Sequence, residues 1–146
     1  LSDGITMRSY LKKVIAAALA VAIPSIAFAD VAFIAILTVQ QENQKEFDAL
    51  AKRMVAAASK NDGLLIYEFA RAGDRVYGYE RYVDAAAHKR HEAIIAPFLE
   101  DLTSLASFET IVTLSELTDE HRFAFQGIGA EIGDPIAGIA EGQLSN

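Results

Sequence analysis

Two hydrophobic periods alternate along this chain. Residues 31–39, VAFIAILTV, carry no charge and are rich in β-branched and aromatic types, which predicts a strand buried on both faces rather than one. Phe47, Leu50, Ala51, Met54, Val55 and Ala58 then fall at i, i+3, i+4, i+7, i+8 and i+11. That is the apolar stripe of a helix, with Lys45, Asp48 and Lys52 on its other side. Asn61, Asp62 and Gly63 are expected to end it, because glycine readily takes the left-handed conformation past a helix C-terminus. Residues 64–71 and 75–82 read as two strands of a hairpin joined through Ala72, Gly73 and Asp74. Asp84 can cap a second helix, in which Ala87, His91, Ile94, Ile95, Phe98, Leu102 and Leu105 share a face. Pro97 lies inside that stretch and is expected to kink or split it. Residues 109–117 alternate weakly and read as the last strand. The order β-α-β-β-α-β predicts an α+β domain with a ferredoxin-like βαββαβ unit over residues 30–117.

The two ends read differently. From Thr118 the periodicity fades, and Gly127, Gly129, Gly133, Gly138 and Gly142 with Asp134-Pro135 predict a Gly-rich tail over 118–146 without a long regular element. Ile128, Ile132, Ile136 and Ile139 either pack on a neighbour or belong to a partly disordered terminus. At the other end, Met7 is followed by Arg8, Lys12 and Lys13, an apolar run over 14–23, a break at Pro24 and Ala27-Phe28-Ala29. A basic segment, a short apolar segment and small residues at −3 and −1 are the parts of a secretory signal peptide cut after Ala29, with residues 1–6 upstream of its initiator. The alternative, a retained membrane anchor, asks for about 20 apolar residues and meets a shorter run broken by Pro24. Residues 1–29 are thus expected to be removed, leaving a periplasmic or secreted protein with no membrane attachment.

A doubly apolar first strand has a consequence in such a unit, whose helices cover only one sheet face. Exposing Phe33, Ile34 or Leu37 would invite aggregation, so a partner's sheet is expected as the second cover, in a homodimer packed face to face. Charge then narrows the partners. The chain has 13 basic and 20 acidic residues, net −7, and the part after Ala29 is more acidic still. Nucleic acid and anionic lipid are therefore not expected partners, since phosphate contacts need clustered Lys and Arg. The chain has no Cys, which excludes disulfides, thiol chemistry and iron–sulfur ligation.

The candidate chemistry lies where the third strand enters the second helix. Glu80 is followed by Tyr82 two residues on, Asp84 four on, the small pair Ala86-Ala87, and His91 eleven on. Upstream, Gly63 precedes the apolar pair Leu64-Leu65 and then Tyr67. His91 sits in the middle of an apolar helix stripe. On its residue type alone it is either a structural histidine bonded to Glu80 or a backbone carbonyl, or a neutral base lining a pocket. His88 and Glu92 at helical spacing are weak evidence for a metal, and none is expected. Arg71, Arg75 and Arg81 are expected to pair with neighbouring carboxylates, and His121 to be solvated.

This pattern resembles the antibiotic biosynthesis monooxygenase family, over about residues 31–117. The resemblance implies a dimeric α+β barrel and a cofactor-independent monooxygenase acting with O₂ on a small aromatic substrate, a quinol or polyhydroxylated ring. It makes His91 the base, Glu80 its orienting partner, and Tyr67, Tyr79 and Tyr82 the ring contacts, with no cofactor. A proton-transfer isomerase on the same fold and an exported non-enzymatic ligand-binding or stress-related dimer are the alternatives. A haem-degrading role, known among relatives with a pocket Trp, fits poorly with a chain that has no Trp.

Overall fold

The computed structural model describes residues 30–136, so the expected signal peptide over residues 1–29 and the last ten residues lie outside the described part. The elements run β1 (Val31–Thr38), α1 (Gln44–Ala58), β2 (Leu64–Ala72), β3 (Arg75–Tyr82), α2 (Ala85–Ile95), a 3-10 turn (Ala96–Phe98), α3 (Leu99–Leu105), β4 (Ser107–Thr113), α4 (Asp119–Gly127) and β5 (Glu131–Ile132). The sheet order is β2-β3-β1-β4-β5, antiparallel except for the β4–β5 pair. Each helical crossover therefore skips one strand: β3 lies between β1 and β2, and β1 between β3 and β4. That is the ferredoxin-like unit, extended at one edge by a short fifth strand. Among the described residues, no helix is long and apolar enough to cross a membrane.

Alternation along the strands sends one set of side chains to the helices. Val31, Phe33, Ala35 and Leu37 of β1 are buried there, joined by Val76 and Tyr82 of β3 and by Phe47, Leu50 and Met54 of α1. Ile34 and Ile36 point to the other face and are only half-buried. Within one chain, then, the first strand is sealed on one side, and the second cover expected from its sequence is not supplied by any described element.

The local signals mostly do what their chemistry dictates. The Asp84 carboxylate accepts from the Ala87 N–H at 2.7 Å and starts α2. Pro97 divides the second helical stretch into α2, the 3-10 turn and α3. Two boundaries differ from the sequence reading. Helix α1 stops at Ala58, and Gly63 serves the next turn instead, with φ +89° just before β2. Strand β4 runs 107–113 rather than 109–117, because the chain leaves the sheet at Ser115, whose hydroxyl accepts from the Ala32 N–H at 2.9 Å.

Gly63 is also sterically committed. A Cβ there would stand 2.7 Å from Val83 Cγ2 and 2.9 Å from Ala87 Cβ, at the start of the helix that carries both site histidines. Gly63→Ala is expected to cost about 2–4 kcal/mol, from the left-handed backbone and the overpacking together. The urea midpoint should fall accordingly, with an unchanged slope.

The segment after Thr118 is more ordered than its glycines suggest. The Thr118 hydroxyl accepts from the His121 N–H and caps α4, which buries Phe125. Glu131 and Ile132 then pair in parallel with Val112 and Thr113, and the Thr113 hydroxyl accepts from the Gly133 N–H at 3.0 Å. Phe125 and Ile128 join the core of the same chain, so Ile128 is not free for a neighbour. Ile136 is exposed, and Ile139 lies outside the described residues.

Candidate active site

A cavity of about 150 Å³ opens between the sheet and helices α2, α3 and α4. In its floor β1 sets the small Ala35 between Phe33 and Leu37, and Gly78 of β3 lies opposite Ala35. The Phe69 ring leans over Gly78, so that a Cβ at that glycine would meet it at 3.1 Å. The walls are mainly Phe, Leu and Ile side chains, into which Tyr67, Glu80, His88, His91 and Glu92 bring the polar groups. No Lys or Arg lines it.

His91 and Glu80 meet across this space. His91 hangs from the middle of α2 and is buried, and its Nε2 lies 3.5 Å from Glu80 Oε2. That is longer than a good hydrogen bond. Its Nδ1 is buried and has no protein partner. The Tyr67 ring meets the imidazole edge-on with centroids 4.5 Å apart, and the Tyr82 ring lies 5.2 Å away. Tyr82 is fully buried and donates its hydroxyl hydrogen to Glu80 Oε2.

Burial sets the electrostatics. It pushes the Glu80 carboxyl up to about 7, against the pull of the Tyr82 hydrogen bond and with a further push from the Glu92 charge. It brings the His91 imidazole down to about 4, so the ring is a neutral acceptor at physiological pH. Burial first, and then the Glu80 charge, raise both tyrosine hydroxyls, which stay protonated donors. A neutral imidazole facing a carboxyl poised near neutrality can take a proton and have the resulting charge balanced at once.

One turn earlier on α2, His88 is buried with its Nε2 3.9 Å from Glu92 Oε1. Burial lowers His88 to about 3 and raises Glu92 to about 7. The His88 ring meets Phe33 edge-on at 5.4 Å, stacks on Phe125 at 5.8 Å, and lies 5.7 Å from the His121 ring. His121 is accordingly half-buried against the domain rather than solvated. Among the described residues, no three His, Cys, Asp or Glu side chains converge as a metal site.

The structure thus brings Glu80, Tyr67, Tyr82 and His91 together and leaves Tyr79 apart. Tyr79 pairs with Ile34 across β1 and β3, so strand alternation sends it to the face away from the cavity. Tyr82 touches the site from beneath, through Glu80, and does not line the cavity. The arginines are engaged elsewhere: Arg71 with Asp48, Arg75 with Glu109 at 2.9 Å, and Arg81 with Asp30 at 2.6 Å. The sequence singled out Glu92 only as a weak metal ligand and Ile128 only as a tail residue, and it gave no place to Phe125; all three line the cavity. The cap signal Thr118-Asp119-Glu120 with apolar residues three apart at 125 and 128 was the available clue to the last two.

Comparison with known proteins agrees with this fold. Residues 31–93 match the family model for antibiotic biosynthesis monooxygenase, so the resemblance carried by Glu80, Tyr82, Asp84 and His91 is to that family. None of the curated proteins matches the chain. Among solved structures, MupZ from Pseudomonas fluorescens superposes with a TM-score of 0.72 at 17% identity, covering 86% of this chain and 100% of its own. SnoaB from Streptomyces nogalater, described as a cofactor-independent oxygenase, gives 0.53 at 19% identity over 62% of this chain and 95% of its own. Rv0793 from Mycobacterium tuberculosis gives 0.53 at 19% identity over 62% and 97%. At these identities the superpositions speak for the fold.

Proposed function

We propose, starting from the match of residues 31–93 to the antibiotic biosynthesis monooxygenase family, that this protein is a cofactor-independent monooxygenase acting on a quinol or polyhydroxylated aromatic. The observation that carries the reading is His91: buried, neutral, lining an apolar cavity, with Nδ1 unpartnered and Nε2 facing Glu80. A histidine serving only the core would be expected to have both ring nitrogens accommodated, because an unpaired buried polar atom costs about 1–3 kcal/mol.

In this mechanism neutral His91 keeps its N–H toward Glu80 and takes the proton of a ring hydroxyl on its other, unpartnered nitrogen, while the Glu80 carboxylate balances the imidazolium. The ring anion passes one electron to O₂. Recombination of the caged pair forms a carbon–oxygen bond and leaves a hydroperoxide on the ring carbon. Breaking its O–O bond leaves one oxygen on that carbon as a carbonyl. The other departs as water, carrying the two hydrogens lost from the hydroxyl and the ring carbon. The substrate supplies all the electrons, and the protein supplies a water-poor cavity and a base.

Two further parts of the proposal concern setting. The half-buried Ile34, Ile36, Tyr77 and Tyr79 on the outer sheet face support a homodimer in which a second copy covers that face. The segment from Met7 to Ala29 supports export to the periplasm or medium. A second reading of the site is favoured by Glu80 and Glu92, two carboxyls raised to about 7 in one cavity, which suit moving a proton between carbons. An oxygen electrode separates the two. The oxygenase consumes O₂ when a panel of quinols is added, above the uncatalysed rate. A proton-transfer enzyme or a mere binder leaves O₂ untouched, and that result would remove the oxygenase reading.

A further inference from the structure

We infer that the cavity selects an uncharged ligand of a single ring, and that Phe125 of α4 is the residue that sets this size limit. The inference rests on the reading of the cavity as the substrate site. Three observations carry it. The first is volume: about 150 Å³ equals that of engineered core cavities (about 150 Å³) that take up one benzene. A second fused ring would have to displace a wall or remain in the cavity's open mouth.

The second is charge. The polar lining consists of Tyr67 and two His–Glu pairs, His91 with Glu80 and His88 with Glu92, and contains no Lys or Arg. A carboxylate, sulfate or phosphate on the ligand would be buried beside two carboxyls with nothing to balance it. Hydroxyl groups meet no such penalty, since imidazole nitrogens and carboxyls accept from them and a protonated carboxyl donates to them.

The third is that the wall is fixed rather than loose. Phe125 is buried, packs edge-on against Phe33 at 5.2 Å and stacks on His88 at 5.8 Å. Its helix is held at one end by the Thr118 cap and at the other by the pairing of β5 with β4. Removing its ring should extend the space beside His88 while leaving His91 and Glu80 in place.

Titration calorimetry on the full chain without oxygen tests this apart from any turnover, using hydroquinone, 1,4-dihydroxynaphthalene and 2,5-dihydroxybenzoate. Wild type should bind hydroquinone at least about tenfold more tightly than either of the others. Phe125→Ala should raise affinity for the naphthalene at least about tenfold while still rejecting the benzoate, and Phe125→Leu should give a smaller change in the same direction. Equal or tighter binding of the naphthalene or the benzoate by wild type would overturn the inference, as would no binding of hydroquinone. A Phe125 variant that folds and still rejects the naphthalene would remove that residue's role. Hydroquinone bound, with no oxygen uptake in air for it or for any other quinol of the panel, would sink the oxygenase reading and leave this one standing.

Discussion

Glu80→Gln is expected to stabilise the folded protein by about 3 kcal/mol at pH 8 and to leave it nearly unchanged at pH 4. The sign follows from the direction of the shift. Burial raises the Glu80 carboxyl from an ordinary value of 4.5 to about 7 in the folded chain. Between those values the folded state keeps a proton that the unfolded state has lost, so wild-type stability falls as pH rises through this window. Above pH 7 the full cost of an ionised, buried carboxylate is present. Gln is close in shape, its carbonyl can still accept from Tyr82, and it cannot ionise. His91 and His88 act the opposite way, since burial lowers both and the folded state gains as pH rises past 4. Comparing variant with wild type isolates the Glu80 contribution. Chemical denaturation at pH 4 and pH 8 measures it, and equal stability differences at both would contradict a buried, titrating Glu80.

The same substitution should reshape the pH–rate profile. Neutral His91 is available throughout the range above about pH 4, so its own titration does not limit the rate near neutrality. Ionised Glu80 stabilises the imidazolium and protonated Glu80 does not. Oxygen uptake should therefore rise with pH through about 7 in wild type, and this inflection should vanish in Glu80→Gln.

The second large effect is on His91. His91→Ala should lower the rate of quinol oxidation by about 10²–10⁴, the range general-base catalysis supplies. The cavity would remain, and with it the capacity to bind the ring, so the loss should fall on kcat more than on KM. Added imidazole should restore part of the rate, since the truncated side chain leaves space beside Glu80. Uptake equal to wild type would leave oxygenation standing and remove His91 as its base.

Much of this was legible in the residues because each local signal had one structural solution. Asp84 can cap only a helix that follows it, Pro97 cannot continue one, and a Gly73-Asp74 turn between alternating segments closes a hairpin. The Glu80–His91 pairing was readable for the same reason, since a late β3 residue and a mid-α2 residue face each other in this fold. Tyr79 shows the limit. One step of strand register decides which face a side chain takes, and aromatic content does not encode it. The tail shows another. Phe125 and Ile128 owe their burial to a wall built by distant strands and helices, and five glycines over 118–146 masked a nine-residue helix. Glu92 drew notice only for its spacing from His88, and its place in the cavity wall becomes visible once the neighbouring elements are set around it.

In an oxygenase of this kind the substrate reduces O₂ inside the cavity and keeps one of its atoms. Oxidation of hydroquinone under ¹⁸O₂ in ordinary water, with the product analysed by mass spectrometry, tests it most directly. One ¹⁸O atom is expected per molecule of oxidised ring and the other in water, with His91→Ala abolishing most of the labelled product. A quinone formed without label, with O₂ appearing as peroxide, would contradict it.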